Sequence, residues 1–329
     1  NKSYQTYNHS NLMMSIENFV EKTIKAKSGW VGFKQELKDL IRDFNRKYDL
    51  GLKYSAYQEA LYELISRVRT VEGVIDYSLI DNMQFIRIKF YLACYGGKRR
   101  NEIRGFTNSE KKNKDTLTKY LQNLIGHYSK LLFVRVDLAY LKEYQNKIDI
   151  RLFKNDIQKL IGYIQDQDTC FKDIEGYAWA LEQGEEKGYH CHLLLIYNGA
   201  LRQRDYHFAD QVIKRWKDIT EQQGYGFNCN TTEHKEQFQR YKKLGVGMIH
   251  RENEREVVNA INTCNYLVNP EKTNQYLRVK LRNMRTFGTG SYKRSYRRYG
   301  RGLHLPVIKD FRSELSCLHN LELDTCQLF

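Results

Sequence analysis

Proline is nearly missing from this chain. Only Pro270 and Pro306 occur in 329 residues, so no proline-rich linker divides it. Cysteine is present but unorganised: the seven are scattered, odd in number, and include no C-x-x-C pair. That excludes a disulfide framework and a zinc ribbon, and makes a reducing cytoplasm the simplest setting. No run approaches the ~20 consecutive apolar residues of a membrane span, so a membrane is not an expected partner. No signal peptide is visible, although the chain begins at Asn1 rather than Met and a trimmed leader would leave no trace. Acidic residues are the scarcer charge, 39 Asp plus Glu against 54 Lys plus Arg, a formal charge of +15. Tyrosine, by contrast, is plentiful at 25, and aromatics reach 13%. Cations pair with phosphates and aromatic rings stack on bases, so the balance favours a nucleic-acid partner over a merely basic soluble protein. The length admits two domains or one large one.

The first 125 residues read as mainly helical. Apolar residues recur at helical spacing over Ser15–Lys27, Phe33–Lys47, Tyr57–Arg69 and Asn82–Cys94. In the second of these, Phe33, Leu37, Leu40, Ile41 and Phe44 make the stripe. Gly96-Gly97 then reads as a stop, Lys98-Arg99-Arg100 as a charged connection, and Ser109–His127 as a further helix. At Lys130 the period shortens to that of a strand, Leu131–Tyr140, which places Val134, Val136 and Leu138 on one face and Phe133, Arg135 and Asp137 on the other. Arg135 and Asp137 then form a same-face ion pair, or Arg135 lies near a substrate phosphate. Helical periods return at Asn155–Gln165, Asp210–Thr220 and Arg255–Asn269, with a short strand-like stretch over Leu244–Ile249. In the last helix Tyr266 falls, at roughly 100° per residue, on a polar face with Asn259, Asn262 and Thr263, away from Val257. Its hydroxyl is thus expected to be exposed, and Pro270 to end the helix.

The stretch Gly176–Gly199 organises the rest. Tyr177–Gln183 and Tyr189–Tyr197 read as strands around a turn at Gly184–Gly188. His190 and His192 share one face because side chains alternate. If the hairpin pairs symmetrically, Glu182 lies opposite His190 and Ala180 opposite His192. A carboxylate then sits beside two imidazoles, with a small residue leaving room. Such a trio suits a divalent ion with open positions for water or a phosphate oxygen, Mg or Mn by availability, with zinc or cobalt also accommodated. The alternative is two half-buried histidines with no ligand.

Several motifs follow one another in order: Lys130–Tyr140, the Glu182–His192 hairpin, Trp216, Asn228-Cys229-Asn230, Gly245-Val246-Gly247, Tyr266-Leu267 and Arg285-Thr286-Phe287-Gly288. Over about residues 125 to 290 the pattern resembles the HUH endonucleases, and among them the replication proteins of filamentous phages and prophages, of the inovirus gene-2-type and YagK/YfjJ-type family. The resemblance implies an α+β fold, in which a central antiparallel sheet of about five strands is flanked by helices. It divides the chain into a helical N-terminal domain (1–125), the HUH domain (126–290) and a basic, aromatic tail (291–329). It implies a metal-dependent nickase and ligase of single-stranded DNA for rolling-circle replication, with His190, His192 and Glu182 as metal ligands and Tyr266 as nucleophile. The lysine often found three residues after the tyrosine is Asn269 here, leaving Lys272 and Lys280 as candidates for its role. Tyr276 either serves a second strand transfer or packs.

Arg135, Lys280 and Arg285 are candidate DNA contacts. So are Lys293, Arg294, Arg297 and Arg298 in the segment SYKRSYRRYGRG, which reads equally as a basic linker; Phe311–Phe329 after it reads as a returning helix. The expected partners are single-stranded DNA at a replication origin and a host helicase and polymerase, in a bacterial cytoplasm, with no small-molecule cofactor. Competing readings are a transposase or relaxase on the same site, a DNA-binding regulator that does not cut, and a zinc hydrolase of small substrates.

Overall fold

The strand that begins at Lys130 is the spine of the molecule, and among the described residues the named elements before it are helices apart from one three-residue strand. The computed structural model describes residues 8–70, 73–80, 82–95, 97–184, 186–268 and 275–292. In chain order the N-terminal region carries α1 (His9–Lys25), α2 (Phe33–Lys47), β1 (Leu52–Tyr54), α3 (Ala56–Val68), α4 (Met83–Tyr95) and α5 (Lys98–His127). The sheet region follows with β2 (Lys130–Tyr140), α6 (Ile150–Gln165), β3 (Ile174–Gly184), β4 (Gly188–Asn198), α7 (Asp205–Ile219), β5 (Gly224–Asn228), α8 (Thr232–Arg240), β6 (Gly247–His250), α9 (Glu254–Asn265), β7 (Val279–Leu281) and β8 (Phe287–Thr289). Among the described residues no helix is long and apolar enough to cross a membrane.

The main sheet is antiparallel, ordered β5-β2-β4-β3-β8, with β6 also paired to β2. β6 takes the first part of β2, Lys130 to Phe133, and β5 takes the later part, Val136 to Tyr140. The sheet thus has six strands rather than about five. A separate two-stranded ladder joins β1 to β7.

The two-residue alternation of the strands divides the interior. Leu132, Val134, Val136 and Leu138 of β2, with Leu193, Leu195 and Tyr197 of β4, face α6 and α7 in a core that runs on without a break into α1, α2, α3 and α4. Leu131 and Phe133, with Ala178, Ala180, Leu194 and Ile196, face the other way and are covered by Leu117, Leu121 and Leu124 of α5 and Val257, Ile261 and Cys264 of α9. The residues expected as the α2 stripe are all buried.

Two expectations change here. Lys98-Arg99-Arg100 is the first turn of α5 rather than a connection. That half of the helix lies largely against solvent, so polar residues ring it and the apolar period is weak there. The position expected as a domain boundary, 125, falls in the last turn of this helix. The second change is β5, whose sequence GYGFN gives little strand signal. A Cβ on Gly226 would lie 2.6 Å from Ile213, so the glycine is there because α7 packs directly on the strand.

Candidate metal centre

The site forms where the second face of the sheet runs out from under its helices. β3 and β4 pair with Glu182 opposite His190 and Ala180 opposite His192, the register expected from the turn. β2 lies on the other side of β4 and sets Asp137 opposite His192. Glu182, His190 and His192 are only 8, 5 and 6% exposed.

Both imidazoles are oriented from behind. The His190 Nδ1–H donates to the Gly188 carbonyl oxygen at 3.1 Å. The His192 Nδ1–H donates to Asp137 Oδ1 at 2.7 Å. Each ring is thereby fixed in the tautomer that turns its Nε2 lone pair forward. Those two nitrogens converge on a single atom, Glu182 Oε2, 3.3 Å from His192 and 3.6 Å from His190. Two ring nitrogens facing one carboxylate oxygen call for positive charge between them, which a proton on His192 or a metal ion supplies. The three side chains offer ligand atoms all within 4.8 Å of one another and could bind a metal ion.

The electrostatics agree. Burial alone would raise the Asp137 carboxyl, but His192 and Arg135 outweigh it and hold the group well below the usual carboxylate range. Burial lowers His190 and keeps it neutral, as a ligand must be. Burial also opposes charge on His192, but Asp137 and Glu182 outweigh it and raise its proton affinity.

Arg135 and Asp137 form the expected ion pair, Arg135 Nε to Asp137 Oδ1 at 3.5 Å. The Arg135 guanidinium is buried, and it also lies 5.8 Å from the ring centre of Tyr266. Through Arg135 and Asp137 the tyrosine is thus linked to His192. The expected exposure of Tyr266 is not found: α9 ends at Asn265, and Tyr266–Val268 is a buried 3-10 turn. Tyr266 keeps helical backbone angles, so its direction is as expected; what differs is that the polar face is covered, by Gly245 on Asn259 and Thr263 and by Arg135 on the ring itself. The next residue, Leu267, lines a cavity of about 20 Å³ with Ala180, Glu182, Tyr276, Lys280 and Phe287.

Tyr276 lies on the far wall of that cavity. Its hydroxyl donates to Glu17 Oε2 at 3.2 Å and accepts from Arg99 Nη1 at 3.3 Å. The ring is flanked by the Arg99 and Arg278 guanidiniums at 5.2 and 4.8 Å. Burial, reinforced by Glu17, pushes its phenol up. Lys280 is half-buried in the cavity, and Arg285 is exposed. Lys272, Lys293, Arg294, Arg297 and Arg298, like the Phe311–Phe329 stretch, lie outside the described residues.

The orienting roles of Asp137 and of the Gly188 carbonyl were not read from the sequence. The signal existed, a lone acid on an apolar strand, but its use depends on β2 being the neighbour of β4.

A search of curated proteins and a search of solved structures each returned no match. The family model for the YagK/YfjJ C-terminal domain matches residues 104–290, from the early part of α5 to just beyond β8, and so takes in the whole main sheet and the trio on it. Covering more than half of the chain, that match makes this protein a member of the YagK/YfjJ C-terminal domain family.

Proposed function

We propose that the chain is a nickase and ligase of single-stranded DNA that works through a phosphotyrosine intermediate, in the manner of the HUH endonucleases, and that it starts rolling-circle replication of a phage or prophage-like element. The observation that carries this reading is the convergence of Glu182, His190 and His192 on one point, with Tyr266 linked to His192 through Arg135 and Asp137. The strong positive charge supports a polyanionic substrate. Its setting would be a bacterial cytoplasm, with a host helicase and polymerase as partners.

A divalent ion, Mg or Mn, held by the trio would polarise the scissile phosphate and offset charge in the transition state. The chain's own residues do the rest. The Tyr266 oxygen attacks phosphorus in line; the bond to the 3′ oxygen breaks, and that oxygen leaves with a proton as a 3′-hydroxyl. The strand's 5′ phosphate stays on the tyrosine as a diester, so a later 3′-hydroxyl can reseal it without ATP. Arg135 keeps a positive charge beside the attacking ring. Asp137 and the Gly188 carbonyl hold the imidazoles in register throughout. Tyr276, tied to Glu17 and Arg99, supports the cavity wall rather than a second transfer.

The test is incubation with Mn and a tiled set of single-stranded oligonucleotides. The parent protein should give a denaturation-resistant adduct, with mass spectrometry placing the link on the Tyr266 peptide. Tyr266→Phe should give none, and Tyr276→Phe should keep it. The burial of Tyr266 favours a second reading, a regulator that binds DNA without cutting. Under it no variant forms an adduct, and Tyr266→Phe binds DNA as the parent does.

A further inference from the structure

The ladder between β1 and β7 sets two lysines directly opposite each other, Lys53 and Lys280. Like charges across a strand pair are destabilising, so the pairing needs a reason. Their neighbours in the ladder supply none, because Tyr54 and Val279 point into the main core. Among the described residues neither lysine makes an ion pair within 4 Å. Two acids stand near, each with another partner: Glu110, on the same cavity, accepts from Asn113 Nδ2 at 3.1 Å, and Glu102 accepts from the Ala56 amide at 2.9 Å. Lys280 also lines the cavity that holds Glu182. Burial, then the charge of Lys53, pulls down its proton affinity, and Glu110 and Glu102 offset this only in part.

The same cavity is walled by flat apolar rings. Phe106 comes from α5 and Phe287 from β8, both half-buried. Cations not held in an ion pair, set beside aromatic faces, are what a single-stranded nucleotide linkage requires.

We propose that Lys53 and Lys280 clamp one phosphate of the bound strand, with Phe106 and Phe287 flanking the adjoining base. The inference rests on the single-strand nickase reading and deepens it, since Lys53 lies outside the matched family region. The N-terminal region would then complete the substrate channel as well as support the sheet.

The test is fluorescence anisotropy with a labelled oligothymidylate, titrated over a series of salt concentrations without metal. Each phosphate contact on a single strand contributes about 0.7 to the slope of log K against log salt. Lys53→Gln and Lys280→Gln should each lower the slope by about that amount, while Lys53→Arg keeps it. Lys214→Gln, on the exposed face of α7, should leave it unchanged. A second measurement separates the clamp from a structural role. With the repulsion removed, Lys280→Gln should unfold at a urea concentration no lower than the parent. An unchanged slope in either clamp variant, a parent that does not bind the probe, or early unfolding of Lys280→Gln overturns the proposal. Loss of slope without any covalent adduct would sink the nickase reading and leave the clamp standing; an adduct with unchanged slopes would do the reverse.

Discussion

Asp137 is the residue on which the trio's geometry turns. Its carboxylate is partly buried, held ionised, and shared between Arg135 and the back of His192. Replacing it with Asn keeps the shape but weakens the acceptor and lets the imidazole choose the other tautomer. Asp137→Asn should therefore lower affinity for Mn by about 10- to 100-fold in calorimetric titration, with little change in the far-ultraviolet circular dichroism. Ala180 has no such part, and a change to Ser there should pass almost unnoticed in the same titration. Glu182, His190 and His192 could be brought together from sequence because alternation and a short turn fix their register over a few residues. Asp137 could not, because its partner is more than fifty positions away and the pairing depends on strand order.

At the scale of elements, the hairpin is the legible part and the end of α9 the illegible one. Periodicity shows which residues share a face of α9 but not what packs on that face, and the polar one that carries Tyr266 is covered by Gly245 and Arg135. What holds α9 in place is a contact no pattern reveals. A Cβ on Gly245 would lie 2.3 Å from the Asn259 carbonyl oxygen and from Thr263 Oγ1. Gly245→Ala must push the helix outward, and with it Tyr266 just past its end. Such overpacking costs about 1–3 kcal/mol, which urea unfolding would show. Adduct formation should fall by more than the lost stability explains when both are measured well below the unfolding transition. β5 was overlooked for a related reason: Gly226 lowers strand propensity while allowing close helix packing.

At the scale of the molecule, the N-terminal region is legible in the sequence as mainly helical, and its long-range contacts are not. The structure joins them to the back of the site. Gln183, next to Glu182 in the chain, donates to Ser10 of α1 and accepts from the Arg278 amide. His9 shares a 2.9 Å hydrogen bond with Tyr189, next to His190. Burial, only partly offset by Asp149, lowers His9 from an ordinary 6.5 to about 4. Between those values the unfolded chain holds a proton that the folded one lacks, so stability rises with pH. His9's contribution is complete above about 6.5 and is lost as pH falls toward 4. From pH 7 to pH 5 the parent should lose about 2 kcal/mol on this account. His9→Gln should lack that part of the slope in urea unfolding at the two values.

The unbroken core beneath the first face of the sheet has a practical sequel. A recombinant fragment cut at residue 104, where the family region starts, would lose α1 and with it the partners of Tyr189 and Gln183, His9 and Ser10. Its soluble yield should fall well below that of the whole chain. The recognisable unit would then depend on helices that lie before it.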